Sequence, residues 1–137
     1  NGFHTVTPYL VVEDAEREID FLKRGFGAEE VFRHNAPNGR VMHAQVRIGD
    51  SMVMMGEAME AWPARPSTLY LYVEDTDAWY ARAMAAGGTS MREPTDEFYG
   101  DRCAGVADPS GNIWFVATHQ EDVSPEELTR RAAAMAH

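Results

Sequence analysis

An internal repeat is the feature of this sequence that most constrains its fold. Residues 7–14 and 68–75 are identical at six of eight positions when they are aligned at an offset of 61. The identical pairs are Thr7/Thr68, Tyr9/Tyr70, Leu10/Leu71, Val12/Val73, Glu13/Glu74 and Asp14/Asp75. One such unit cannot bury its apolar face alone, so the two copies must pack together. Two packed copies also form a natural cleft where they meet.

Composition and charge narrow the class of protein. The 137 residues are enough for one domain, and a hydrophobic content of 45% excludes a disordered chain. No apolar run reaches the ~20 residues that a membrane span needs. Cys103 is the only cysteine, so no internal disulfide can form and a cytoplasmic location is expected. The net charge of −10 argues against nucleic acid as a partner; it would attract a basic small ligand or simply keep the protein in solution.

Hydrophobic periodicity and turn signals predict an α+β domain of two βαβββ modules followed by a C-terminal helix. We expect curled mixed sheets that form a concave cavity. Asp14 and Asp75 are predicted helix caps, and Ser124-Pro125-Glu126-Glu127 is a capping box. The predicted strands are 5–12, 28–34, 41–49, 51–57, 67–73, 89–93, 101–107 and 112–118, with helices following Asp14 and over 76–86. The expected divisions of the single domain 1–137 are module one at 4–58, a linker at 59–66, module two at 67–119 and the helix at 124–136.

Strand alternation predicts which side chains face the helices and which could bind a ligand. Val6, Leu10, Val12, Met42 and Cys103 are expected on the helix-facing side, with Cys103 as a buried, unreactive thiol. The candidate ligand-binding residues are Tyr9, His43, Gln45, Arg47, Met54, Tyr70, Tyr72, Arg102 and Phe115. Aromatic rings and methionine suit a flat or irregular organic molecule, and Arg102 could hold a carboxylate or phosphate. The alternatives are a solvated sheet face, ordinary core packing, and an Arg102 ion pair with Asp101 or Asp96 at the surface.

The sequence resembles the vicinal oxygen chelate superfamily, which includes glyoxalase I, bleomycin-resistance proteins and extradiol dioxygenases, and within it the PhnB-like subgroup. The stretches that carry this resemblance are HTVTPYLVVEDAEREIDF at 4–21, FGAEEVFRH at 26–34, GRVMHAQVRIGDSMVMMGE at 39–57, LYLYVEDTDA at 69–78, FYGDRCAGVADPSGNIWFVATH at 98–119 and EDVSPEEL at 121–128. Metal-dependent relatives take one ligand from the first and one from the fourth strand of each module. The matching positions here are Thr7, Met54, Thr68 and Phe115. Because these are poor ligands for a divalent metal, no metal site and no cofactor are predicted.

Three functions are compatible with this sequence. The first is metal-free binding of a small organic molecule, antibiotic-like or toxic. The protein is expected to form a homodimer, and this ligand is its only other predicted partner. The second is a lyase, isomerase, transferase or dioxygenase-type enzyme that uses acid–base groups such as His43, Tyr70 and Arg102, or a non-standard metal site at His43 and Glu57. The third is a structural or interaction role without a small ligand. No membrane partner is expected.

Overall fold

The computed structural model describes residues 1–135 as two four-stranded mixed sheets and three helices. The elements of module one are β1 (Tyr9–Val12), α1 (Ala15–Phe26), β2 (Glu29–Asn35), β3 (Val41–Ile48) and β4 (Ser51–Glu57). Those of module two are β5 (Thr68–Tyr72), α2 (Thr76–Ala85), β6 (Thr89–Asp96), β7 (Asp101–Ala107) and β8 (Ile113–His119), followed by α3 (Pro125–Met135). The sheet orders are β1-β4-β3-β2 and β5-β8-β7-β6, with the first and last strands of each module parallel. The predicted α+β fold of two βαβββ modules is confirmed.

Each module begins its helix with the same pair of caps. Asp14 and Asp75 accept hydrogen bonds from the backbone N–H groups of Arg17 and Ala78, which satisfies donors that the helix leaves unpaired. A side chain from the last strand of the same module supplies the second cap. Glu57 accepts from the backbone N–H of Ala15 at 2.9 Å, and Thr118 accepts from that of Thr76 at 3.0 Å. These two pairs lie at the repeat offset of 61, so the capping arrangement is part of the duplicated unit.

The first strand is shorter than predicted. It begins at Tyr9, because Pro8 lacks a backbone N–H and the preceding residues form a turn in which the Thr7 hydroxyl donates to the His4 carbonyl. Val6 is 83% exposed, so its predicted place on the helix-facing side is wrong. Leu10 and Val12 are buried there as expected.

The prediction that Met42 faces the helices is wrong, because a β-bulge lies next to it. The register of β2 with β3 shifts between His34 and Asn35, where the partner residues are His43 and Val41. The bulge leaves Met42 without a partner in the ladder, and alternation is interrupted there. Met42 is therefore exposed, whereas Val41 is buried.

The two modules share one hydrophobic core on the helix-facing sides of both sheets. The ring of Phe26 in α1 lies 5.7 Å from Trp79 in α2 and 5.3 Å from Trp114 in β8. The helices α1 and α2 also lie against each other, and a Cβ at Gly25 would meet the Cα of Ala83 at 3.4 Å, an ordinary van der Waals distance. The copies therefore bury each other's apolar faces, as the repeat requires.

A buried acid lies at this junction between the modules. Glu18 of α1 is fully buried, and among residues 1–135 neither of its carboxyl oxygens has a hydrogen-bond partner at ordinary distance and angle. It lies beside Asp108, whose own oxygens accept from the backbone N–H groups of Ser110 and Asn112 and from the indole of Trp114. Burial, followed by the neighbouring Asp108 carboxylate, raises the pKa of Glu18 well above its ordinary value of 4.5. Glu18 is therefore protonated in the folded protein at neutral pH.

We expect Glu18 to make the protein less stable as the pH rises. The folded state keeps a proton on Glu18 that the unfolded chain releases above pH 4.5, so the free energy of unfolding should fall by up to about 1.4 kcal/mol per pH unit. The fall ends only when Glu18 ionises in the folded protein. In Glu18→Gln the amide resembles the protonated acid, and this slope should disappear. Urea unfolding at several pH values measures the effect. Glu126→Gln, at an exposed helical position, is the matched control; an unchanged slope in Glu18→Gln would contradict the assignment.

The C-terminal helix packs differently from the other two. The Ser124 N-cap is present at its start, where the Ser124 hydroxyl accepts from the backbone N–H of Glu127. The carboxylate of Glu127 pairs with Arg130 and Arg131 instead of completing the predicted capping box. None of its described residues is fully buried, and Met135 is 60% exposed. Arg131 anchors the helix by donating to the Phe98 carbonyl and pairing with Glu121. The predicted last residue of the helix, residue 136, lies outside the described residues.

Candidate functional site

A cleft lies where the two modules meet, between the edge strands β1 and β5. Its volume is about 970 Å³, at the upper end of the range for small-molecule sites. Its walls combine apolar side chains such as Leu71 and Trp114 with three residues of the predicted ligand-binding set, Tyr9, Tyr70 and Tyr72. The cleft that the repeat predicts is therefore present. The other six members of that set do not line it.

The outer face of the first sheet carries one group of the predicted residues. The rings of Tyr9 and His43 lie 5.7 Å apart, and the side chain of Gln45 lies 3.0 Å from the Nε2 atom of His43. Met54 is the register partner of Tyr9 and is half-buried. Arg47 belongs to the same strand, but its guanidinium donates to the Asn1 carbonyl and pairs with Glu29. It is already engaged in contacts within the protein.

The outer face of the second sheet carries a row of aromatic rings. Tyr70 lies 5.3 Å from Tyr72 and 5.9 Å from Phe115, measured between ring centroids. The sequence Leu69-Tyr70-Leu71-Tyr72 places the two leucines against the core and the two tyrosines on the outer face. Tyr72 is 67% exposed, so most of its ring is open to a ligand.

A polar cluster lies at one end of this aromatic row. We call it the Asp101 cluster; it consists of Tyr70, Tyr72, Tyr99, Asp101 and His119. Asp101 is only 3% exposed, and its Oδ1 lies 2.8 Å from the Nδ1 of His119. The hydroxyl groups of Tyr72 and Tyr70 donate to its Oδ2 at 3.1 and 3.4 Å, and the Tyr70 hydroxyl also lies 3.3 Å from that of Tyr99. The cluster thus links a buried carboxylate to the rings that line the cleft.

The protonation states within the cluster follow from these contacts. The hydrogen bond to Asp101 raises the pKa of Tyr72, and burial together with the Tyr99 hydroxyl raises that of Tyr70. Both tyrosines are therefore neutral hydroxyl donors. The imidazole of His119 lies between Asp101 and Asp122, at 2.8 and 2.7 Å, and these carboxylates raise its pKa. Even with His119 protonated, the two carboxylates leave one net negative charge.

Sequence reasoning did not find Asp101, His119 or Tyr99 as functional candidates. A signal was nevertheless present. The sequence Asp108-Pro109-Ser110-Gly111 is typical of a turn, and this turn sets an antiparallel register between β7 and β8 that places Asp101 opposite His119. The pairing of the first residue of one strand with the last of its partner brings together two residues that are 18 positions apart in the chain.

The structure corrects the predicted orientations on β7. Ala104 and Val106 are completely buried in the core, so the helix-facing side of β7 is the one that carries Arg102. The guanidinium of Arg102 pairs with Asp77 of α2 and Asp96 of β6, each at 3.1 Å. Of the two roles predicted for Arg102, the structure therefore shows the surface ion pair and not a contact with the aromatic row. Cys103 is buried, but on the opposite side from that predicted, where it contacts Tyr70 and burial raises the pKa of its thiol.

The positions that hold a metal in related proteins do not fit one here. The Thr7 hydroxyl is engaged by the His4 carbonyl, and Met54 and Phe115 offer a thioether and a phenyl ring opposite Tyr9 and Tyr70. Glu57, the alternative partner of His43, accepts from the backbone N–H groups of Ala15 and Val41. Within residues 1–135, no group of three or more His, Cys, Asp or Glu side chains has the geometry to hold a metal ion.

No helix among residues 1–135 has the length and apolar character needed to cross a membrane. A Mycobacterium bovis (strain ATCC BAA-935 / AF2122/97) protein of uncharacterised function is 35% identical over 134 residues, which cover 90% of this chain and 88% of that protein.

Two solved structures share the fold. One is TnmS3, an antibiotic binding protein from Streptomyces sp. CB03234, with a TM-score of 0.69 and 24% identity over 85% of this chain and 96% of that one. The other is the PhnB protein from Bacillus cereus, with a TM-score of 0.67 and 19% identity over 84% and 99%. The family model for the glyoxalase/bleomycin resistance protein/dioxygenase superfamily matches residues 2–116. The chain therefore belongs to the glyoxalase/bleomycin resistance protein/dioxygenase superfamily, as the resemblance of its sequence indicates.

Proposed function

We propose that this protein binds a small organic molecule in the cleft between β1 and β5, without a metal ion. The observation that carries this proposal is the cleft itself, about 970 Å³ in volume and lined by Tyr9, Tyr70 and Tyr72. Tyrosine rings offer flat apolar surfaces together with a polar hydroxyl, which suits an aromatic ligand. The metal-free character of the proposal rests on the poor donor set at Thr7, Met54, Thr68 and Phe115.

We also propose that the ligand is antibiotic-like. The antibiotic binding protein from Streptomyces sp. CB03234 has the same fold, so this fold can accommodate such a molecule. An identity of 24% indicates only that the two proteins share a fold. The proposal of an antibiotic-like ligand for this protein therefore rests on the aromatic rings of its cleft.

We propose that the protein acts as a homodimer, as the family resemblance implies, and that it is cytoplasmic, since a single cysteine suits a reducing compartment. Exposed apolar side chains on the outer strands, such as Phe32 and Met91, are consistent with a partner surface. Sedimentation velocity measures the oligomeric state directly, and a monomer at all concentrations would contradict this part of the proposal.

Binding of a planar aromatic probe tests the main proposal. We expect acridine, which is neutral at pH 8, to bind in the cleft, with its fluorescence reporting the titration. Tyr72→Ala should weaken this binding by about tenfold, because it removes an exposed ring that stacks on the probe. Tyr80→Ala is the matched control, since Tyr80 is a tyrosine of module two that does not line the cleft. No saturable binding by the wild-type protein, or equal losses in the two variants, would overturn the proposal.

A further inference from the structure

We propose that the Asp101 cluster recognises a cationic nitrogen group, such as a protonated amine or amidine, on the molecule that the cleft binds. This inference rests on the proposed function and adds the chemical class of the ligand and the residues that select it. Asp101, Tyr70 and Tyr72 form the recognition site, and His119 with Asp122 forms its outer edge.

The negative charge of Asp101 is balanced by few neighbouring groups. Among the described residues, its only partner that can carry a positive charge is His119, at 2.8 Å. The adjacent Arg102 points to the other side of the sheet and pairs with Asp77 and Asp96. No permanently charged side chain among residues 1–135 therefore neutralises the buried carboxylate, and its negative charge can attract a cationic ligand.

Nearby acidic residues are balanced by arginines: Glu97 pairs with Arg92, and Glu121 pairs with Arg131. The imidazole of His119 is shared between Asp101 and Asp122, of which Asp122 is fully exposed. Within the cluster and its outer edge, the net negative charge thus belongs to Asp101 and Asp122.

A cationic ligand interacts with this charge through the ring of Tyr72. Asp101 is 3% exposed, so a cation does not touch the carboxylate itself. It lies instead against the ring of Tyr72, whose hydroxyl donates to Asp101 at 3.1 Å. The π face of a tyrosine attracts a cation, and a buried carboxylate behind it acts through surroundings of lower dielectric than water. The chain's net charge of −10 also attracts a cation toward the protein.

A pair of probes that differ in charge tests the inference. Binding of 9-aminoacridine, a planar cation at pH 8, is compared with binding of neutral acridine, both followed by fluorescence. We expect the wild-type protein to bind the cation about tenfold more tightly. Asp101→Asn should bring the two affinities within about twofold of each other, since it removes the charge and keeps a side chain of the same shape.

Two further variants make the result specific. Asp96→Asn removes one negative charge from the same module but outside the cluster, where Asp96 pairs with Arg102, and should leave the preference for the cation intact. Asp122→Asn changes a fully exposed side chain and should fold even if Asp101→Asn does not. Because it removes a charge at the outer edge of the cluster and leaves Asp101 in place, it should reduce the preference to a value between those of the wild type and Asp101→Asn.

The outcomes separate the inference from the proposed function. Equal wild-type affinities for the two probes would leave ligand binding standing and overturn the inference. A preference that survives in Asp101→Asn and in Asp122→Asn would also overturn it, as would an equal loss in Asp96→Asn, which would indicate only the overall charge. No binding of either probe would overturn the proposed function and the inference together.

Discussion

Replacing Trp114 with alanine is expected to lower the free energy of unfolding by about 3–5 kcal/mol, the range for removing a large aromatic side chain from a core. Trp114 is completely buried where the modules meet, and its ring lies 5.3 Å from that of Phe26. The substitution leaves a cavity that both modules line. It also removes the indole N–H that donates to Asp108 at 2.7 Å, beside the buried acid Glu18. Urea unfolding followed by circular dichroism measures the loss.

Trp62→Ala is the matched control for this prediction. Trp62 lies in the linker between the modules and is 65% exposed, so the same substitution should change the free energy of unfolding by no more than about 0.5 kcal/mol. A similar loss in both variants would show that Trp114 has no special place in the core. A loss below about 1 kcal/mol in Trp114→Ala would show that the modules do not depend on each other for burial.

Gly100→Ala is expected to destabilise the protein by about 3 kcal/mol, from backbone strain and steric overlap together. Gly100 has a φ of +100°, and a Cβ there would lie 2.2 Å from the carbonyl oxygen of Glu121. The Gly100 carbonyl also accepts from the backbone N–H groups of Gln120 and Glu121. These contacts hold the residues after β8 against the start of β7, so the substitution should also displace His119 from Asp101.

Gly39→Ala separates the two causes. Gly39 also has a positive φ, of +86°, in the corresponding turn of module one, but no atom lies within 4 Å of its missing Cβ. Strain alone should cost about 1–2 kcal/mol there. Equal losses in the two variants, measured by urea unfolding, would show that the close approach of Glu121 to Gly100 is relaxed without cost.

The fold could be predicted from the sequence because the repeat carries most of the information. Two matching stretches, each followed by an aspartate that caps a helix, indicate two copies of one module, and the apolar periodicity of each copy indicates the order of its elements. The caps at Asp14 and Asp75 and the buried positions of Leu10 and Val12 follow directly from these patterns.

The polar end of the candidate site could not be predicted in the same way. In β7 the run Cys103-Ala104-Gly105-Val106 is apolar or small on both faces, so alternation does not decide which face meets the helices. The bulge at Met42 interrupts alternation in β3 for a different reason, because one extra residue reverses the faces on either side of it. The pairing of Asp101 with His119 depends on the register of two strands, which single residues do not reveal.

The alternation of Leu69 and Leu71 with Tyr70 and Tyr72 has a consequence for how such a protein can change over generations. Along β5, odd-numbered positions pack against the core and even-numbered positions face outward. A mutation at an even position alters the surface that a ligand meets and leaves the core side chains untouched. New ligand preferences can therefore arise in steps that each cost little stability. One scaffold with this division of positions can diversify widely, and a protein engineer could randomise the even positions of β5 for the same reason.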